Sequence, residues 1–140
     1  MAEDFNSRVI REFRENDGRV GEPFTGLPMA LVHHVGARSG TERITPLRWF
    51  ADGGSYVIVA SNAGAPDHPA WYHNLKANPD TVVEVSDGAG RVDTVTVRTS
   101  ELTGEHRDRI WTRITDDNEA FAEYERRTDR TIPLLALTPR

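Results

Sequence analysis

Short apolar runs separated by turn chemistry constrain this chain more than any other feature. From Met29 onward they fall at 29–35, 42–50, 55–61, 81–86 and 91–99. Runs this short, bounded by Gly, Pro, Asn and Asp, read as strands, because an amphipathic helix needs a longer periodic stretch. "DGGS" (52–55) and "DGAG" (87–90) lie between such runs and supply the positive-φ residues of tight hairpins. Consecutive antiparallel pairing is therefore predicted. "TIPLLAL" near the C-terminus adds a last strand. Five or six mostly antiparallel strands with peripheral helices point to a barrel-like α+β domain, since closure removes exposed sheet edges.

The helices are written in a different period. Phe5, Val9 and Phe13 recur at i, i+4 and i+8, one stripe of a helix over 4–16. Residues 17–27, with three Gly and one Pro, read as a loop. Asp67 and His68 precede Pro69 at a first helical position, and Pro79 stops the short helix that carries Trp71 and Leu75. A further helix starts near Thr103 with Ile110, Trp111 and Ile114, and another near Asp116 with Ala120, Phe121 and Tyr124. A chain of 140 residues fits one domain, 1–140, with residues 1–27 as a helix and loop ahead of the barrel. No apolar run nears the roughly 20 residues that span a bilayer. The acidic start has no apolar signal core, so the cytoplasm is expected. Without cysteine there is no disulfide or thiolate chemistry. A net charge of −5 argues against nucleic acid as a partner, because neutralising phosphates needs a basic surface.

Against that acidic background, "GARSG" (36–40) stands out. Arg38, Ser39, Arg43 and Arg48 surround one bend, where Gly36 and Gly40 permit close backbone approach and the arginines offer permanent planar donors. This is either a seat for a phosphate or carboxylate or an ordinary turn with solvated arginines. "ASNAG" (60–64) carries the same ambiguity: Ser61, Asn62 and Gly64 could face a polar ring edge or simply form a turn. For Trp71, Leu75, Phe121 and Tyr124, packing is the default reading. The five histidines show no HExxH spacing, and His68 and His73 at i+5 diverge on a helix, so no metal centre is expected. Neither a GxSxG elbow nor a Walker loop is present.

In order, "GARSGTERITPLRWFADGGSYVIVASNAGAPDHPAWYHNLKANPDTVVEV" and the later "TDRTIPLLAL" resemble the deazaflavin-dependent nitroreductase family over about residues 29–140. The resemblance implies a split β-barrel that binds coenzyme F420 and passes a hydride to an electron-poor small-molecule acceptor such as a quinone, enone or lactone. It assigns Arg38 and Ser39 to the phosphate-side loop, and Arg43, Ile44, Thr45, Pro46, Leu47 and Arg48 to a cofactor-lining strand. Val59, Ala60, Ser61 and Asn62 fall beside the deazaflavin ring, and Ala70, Trp71 and Asn74 on the helix closing over it. Ser61 and Tyr124 become the catalytic candidates, Ser61 through hydrogen bonding and Tyr124 through proton delivery. Phe121 and Tyr124 are the substrate-binding candidates.

The chain departs from that family in places. Asn62 replaces a frequent lysine and Ala70 a frequent methionine, which weakens a phosphate contact and widens the ring pocket. Phe121 and Asn118 stand where nitroimidazole-reducing members carry tyrosines, so quinones or enones are expected to react better than bicyclic nitroimidazoles. Two rivals share the barrel: an oxidoreductase using flavin mononucleotide, and a noncatalytic carrier of a cofactor or lipid-like ligand. The Phe5–Val9–Phe13 stripe could cap the pocket, dock a second copy in a homodimer rather than a monomer, or rest weakly at a membrane surface. Glu3, Asp4, Glu12 and Glu15 make the membrane option the least favoured.

Overall fold

The computed structural model describes residues 3–140; Met1 and Ala2, included in the single-domain expectation, lie outside the described residues. In chain order the elements are α1 (Phe5–Glu15), β1 (Met29–Val35), β2 (Glu42–Arg48), β3 (Phe50–Asp52), β4 (Ser55–Val59), a short 3-10 turn (Asn62–Gly64), α2 (Ala70–Ala77), β5 (Asp80–Ser86), β6 (Val92–Glu101), α3 (Gly104–Asp117), α4 (Glu119–Arg126) and β7 (Leu134–Pro139). All seven strands join one antiparallel sheet in the order β2-β1-β5-β6-β7-β4-β3.

The local turns form as predicted. Asp52 pairs with Ser55 around Gly53-Gly54, and Ser86 pairs with Val92 around "DGAG". Consecutive pairing fails at two points: β2 does not pair with β3, and β5 pairs with β1 instead of β4. The run at 42–50 is not a single strand: it breaks at Trp49, and β4 pairs with β7 instead of β2. The reason is closure. β2 and β3 are the two outermost strands of the sheet, yet only Trp49 separates them in sequence, so the sheet must curl until its edges meet. Trp49 holds the corner by donating its backbone N–H to Pro28 O (3.2 Å) and its indole N–H to Ser86 O (2.9 Å). The result is the expected split β-barrel.

Strand alternation divides the apolar residues between the two faces of the curled sheet. Ala30, Val32, Ile58, Val83, Val85, Val97, Leu135 and Leu137 fill the inside, where Trp71 and Leu75 of α2 plug one end. On the outer face, Val9 and Phe13 of α1 pack on Met29 and Leu31. Ile110, Trp111 and Ile114 of α3 cover Val57, Leu134 and Ala136. Phe5 departs from its expected stripe: it is 48% exposed and meets Phe24 edge-on at 5.9 Å.

Two helix boundaries also move. Pro69 caps α2 rather than occupying its first turn, because its ψ of 153° is extended. Asp116 belongs to α3, and α4 begins only after Asn118, whose extended backbone (φ −141°, ψ 91°) breaks the two helices apart. Asn118 terminates α3 by donating from Nδ2 to Ile114 O at 2.8 Å. No helix of the described residues is long and apolar enough to cross a membrane.

Candidate functional site

Two clefts meet at the first turn of α2. One, of about 630 Å³, is lined by the 36–39 turn, Arg43, Ala70, His73 and Asn74. The other, of about 540 Å³, lies between Thr45–Arg48 of β2, the Ser61–Ala63 turn, Trp71 and the α4 aromatics Phe121 and Tyr124, with Phe5 and Phe24 at its rim. Ala70 faces the first and its neighbour Trp71 the second. Because β2 is an edge strand, part of its backbone N–H and C=O has no sheet partner.

The first cleft is cationic by omission of carboxylates. Nine other arginines are in ion pairs, yet among the described residues neither Arg38 nor Arg43 has a carboxylate partner. The turn itself is internally braced. Gly40 N–H donates to Gly36 O (2.9 Å), Gly36 N–H to Thr41 O (2.9 Å), and Thr41 N–H to Ser39 Oγ (3.1 Å). Gly36 serves the turn rather than a ligand: a Cβ there would sit 2.4 Å from Ser39 Oγ. Gly40 meets the φ of +68° that the turn requires.

A buried polar network, part of it outside the sequence expectations, fastens this turn to α2. Asn74, 7% exposed, accepts from Ala37 N–H at 2.9 Å through Oδ1. Its amide Nδ2 therefore faces His34 Nδ1 (3.0 Å), which makes Nδ1 the acceptor and leaves Nε2–H to donate to Thr45 Oγ1 at 2.8 Å. His34 is 4% exposed, and burial, followed by the nearby Arg43 charge, lowers its pKa, so the neutral ring that the network needs is favoured. Asn74, assigned by the resemblance to the cofactor site, lines the first cleft, and its amide also positions the loop.

The second cleft has an apolar wall with a few polar groups. Phe121 stands edge-on to Phe50 (5.8 Å) and to Tyr124 (6.0 Å). Arg48 lies over Phe50 (4.6 Å) and donates to Asn118 Oδ1 at 2.6 Å. Its Nε is buried without a partner, and burial lowers its pKa. Ser61 is 7% exposed; among the described residues no hydrogen bond uses its hydroxyl, while its carbonyl accepts from Arg130 Nη2 at 2.7 Å. Asn62 points its amide at Asp67 O (3.1 Å).

Of the sequence-derived site residues, Arg38, Ser39, Arg43, Ala70 and Asn74 gather at the first cleft, and Thr45, Pro46, Leu47, Arg48, Val59, Ser61, Asn62, Trp71, Phe121 and Tyr124 at the second. Two do not join them. Ile44, one residue before the cleft-lining stretch, packs instead with the α1 cluster of Val9 and Phe13. Ala60 is fully buried inside the barrel. His34 and Arg130 were missed: His34 is a polar residue within the 29–35 run, and Arg130 precedes the last strand without a residue-type pattern of its own. Among the described residues, no group of three or more His, Asp or Glu is placed to hold a metal ion.

The match to known proteins covers this whole arrangement. The profile of the F420H(2)-dependent quinone reductases matches residues 7–139. The chain belongs to that family. It is 39% identical over 130 residues to the F420H(2)-dependent quinone reductase Rv1261c of Mycobacterium tuberculosis, covering 91% of this chain and 85% of the relative. Among solved structures, the F420-H2 dependent reductase FDR-A is 38% identical, with a TM-score of 0.64 over 78% of this chain and 92% of its own. A domain-swapped dimer is 36% identical, with a TM-score of 0.66 over 91% and 96%. Members of the family are oxidoreductases that use coenzyme F420.

Proposed function

We propose that this protein uses reduced F420 to reduce a quinone-type acceptor, and that the two clefts are the two halves of one cofactor site. The observation that carries the reading is the unpaired Arg38–Arg43 cleft of an acidic protein, opening beside an aromatic-walled cleft across one helical turn. The donor set suits the cofactor. Its phosphate and acidic tail call for guanidinium and hydroxyl donors, and its flat ring calls for an apolar slot with an exposed strand edge.

When bound, the reduced deazaflavin supplies a hydride, a two-electron reductant, from the ring carbon that replaces the reactive nitrogen of a flavin. The protein supplies orientation and a dry environment. Arg38, Ser39 and Arg43 hold the anionic end. Pro46, Leu47, Val59 and Trp71 pack the ring, and the free backbone of β2 meets its polar edge. Ser61 Oγ is available to donate to a carbonyl oxygen that gains charge, and the Tyr124 hydroxyl or water delivers the proton that completes reduction to the hydroquinone. Phe121 packs the acceptor but carries no exchangeable proton, which favours quinones over nitroimidazoles.

The reading extends to organisation. Residues 1–140 act as one domain with 1–27 preceding the barrel, in the cytoplasm. A homodimer is proposed on the strength of the domain-swapped relative. The direct test is anaerobic oxidation of reduced F420 by a simple quinone, with parallel titrations of oxidised F420 and flavin mononucleotide. Quinone-dependent oxidation with selective F420 binding supports the assignment. Preference for flavin mononucleotide, or F420 binding with no turnover on any quinone, refutes it.

A further inference from the structure

Arg130 is the most heavily committed side chain near the second cleft, although it lies outside the cleft lining. Its guanidinium donates from Nε to Ala65 O (3.0 Å), from Nη1 to Ala60 O (3.2 Å) and His68 Nδ1 (2.8 Å), and from Nη2 to Ser61 O (2.7 Å). Every acceptor is neutral. They bracket a turn in which Asn62 (φ 46°), Ala63 (φ 54°) and Gly64 (φ 80°) are all left-handed. Ala63 resists that conformation by about 1–2 kcal/mol, while Asn62 tolerates it better, so the turn gains from an external brace. Its far side is closed by α4: a Cβ on Gly64 would approach Tyr124 O and Arg127 Cβ to 3.0 Å.

We propose that Arg130 is a positioning residue for the ring cleft, its planar fork fixing the left-handed turn that presents Ser61 and Asn62 and tying that turn through neutral His68 to the start of α2. The inference rests on the reading of the cleft as the cofactor's ring site. An arginine can only donate, so His68 Nδ1 must accept, and the bond exists only while the imidazole is neutral. The surroundings favour that form: burial first, then the charges of Arg130 and His73, lower the His68 pKa, against the opposing pull of Glu101 and Asp67. The Tyr72 ring packs on His68 at 4.5 Å.

The test pairs a measurement without cofactor with one in turnover. In Arg130→Ala the His68 ring, followed by NMR in the cofactor-free protein and assigned with His68→Gln, should titrate higher, nearer the ordinary 6.5. With reduced F420 and a quinone, kcat/KM should fall about 100-fold, the scale of misplacing a reacting group by roughly an ångström. Arg130→Lys keeps the charge but loses the fork, so it should remain folded and lose about 10-fold. If Arg130→Ala does not fold, Arg130→Lys carries both readouts, with a smaller His68 shift. An unmoved His68 titration, or unchanged kcat/KM in a folded variant, overturns the proposal. Wild-type protein that binds no F420 would instead refute the cofactor reading, and the His68 titration would still judge the brace.

Discussion

Replacing Asn74 by Ala separates bracing of the cationic turn from direct ligand contact. The amide makes two bonds, to Ala37 N–H at 2.9 Å and to His34 Nδ1 at 3.0 Å. Losing it leaves His34 Nδ1, on a ring 4% exposed, without its partner, at about 1–3 kcal/mol for an unsatisfied buried group. Ala37 is exposed, so its N–H recovers water and costs about 1 kcal/mol or less. A total of about 1–4 kcal/mol in a chain of this length corresponds to a melting temperature lower by roughly 4–16 °C. The turn carrying Arg38 and Ser39 then loses its tie to α2, and F420 affinity should fall about 10-fold through lost preorganisation. Differential scanning calorimetry and deazaflavin titration read the two effects. A melting temperature within about 2 °C of wild type, or unchanged affinity in a destabilised variant, would refute the reasoning.

Arg38→Ala and Arg43→Ala should each weaken F420 binding by about 1.5–3 kcal/mol and reduce its salt dependence while leaving thermal stability nearly unchanged, read by titration at low and high salt. Phe121→Tyr should raise nitroimidazole turnover about 10-fold and leave F420 affinity alone, with Tyr124→Phe as the matching control in the same assay. His34 and His68 both have folded pKa values below the ordinary 6.5, so the unfolded chain binds more protons as pH drops through that value. Their contribution to stability is complete above about pH 6.5 and is lost progressively below it, which denaturant midpoints across that range will show.

Sequence legibility followed the range of the forces involved. The "DGGS" and "DGAG" hairpins depend on adjacent residues and could be read directly. The break at Trp49 could not, because it serves a closure that pairs β4 with β7, some eighty residues away. The site divides similarly. The resemblance to a known family located the Arg38 turn, the Ser61 segment and the α4 aromatics, but it carried Ile44 along with its neighbours, and only the packing of α1, distant in sequence, takes Ile44 out of the cleft. Arg130 and His34 act on groups distant in sequence, Arg130 largely on backbone carbonyls that every residue possesses. No residue-type pattern marks such a partner.

The central claim is that one cofactor spans both clefts. Hydrogen exchange of the protein with and without oxidised F420 tests it most directly, because each cleft has its own turn, 36–41 or 60–64, and the two share only β2 and the first turn of α2. The account predicts that saturating F420 slows exchange together in the 36–41 turn, in 43–48, in 60–64 and in the first turn of α2. Protection confined to the arginine turn, or to the aromatic cleft alone, would contradict it.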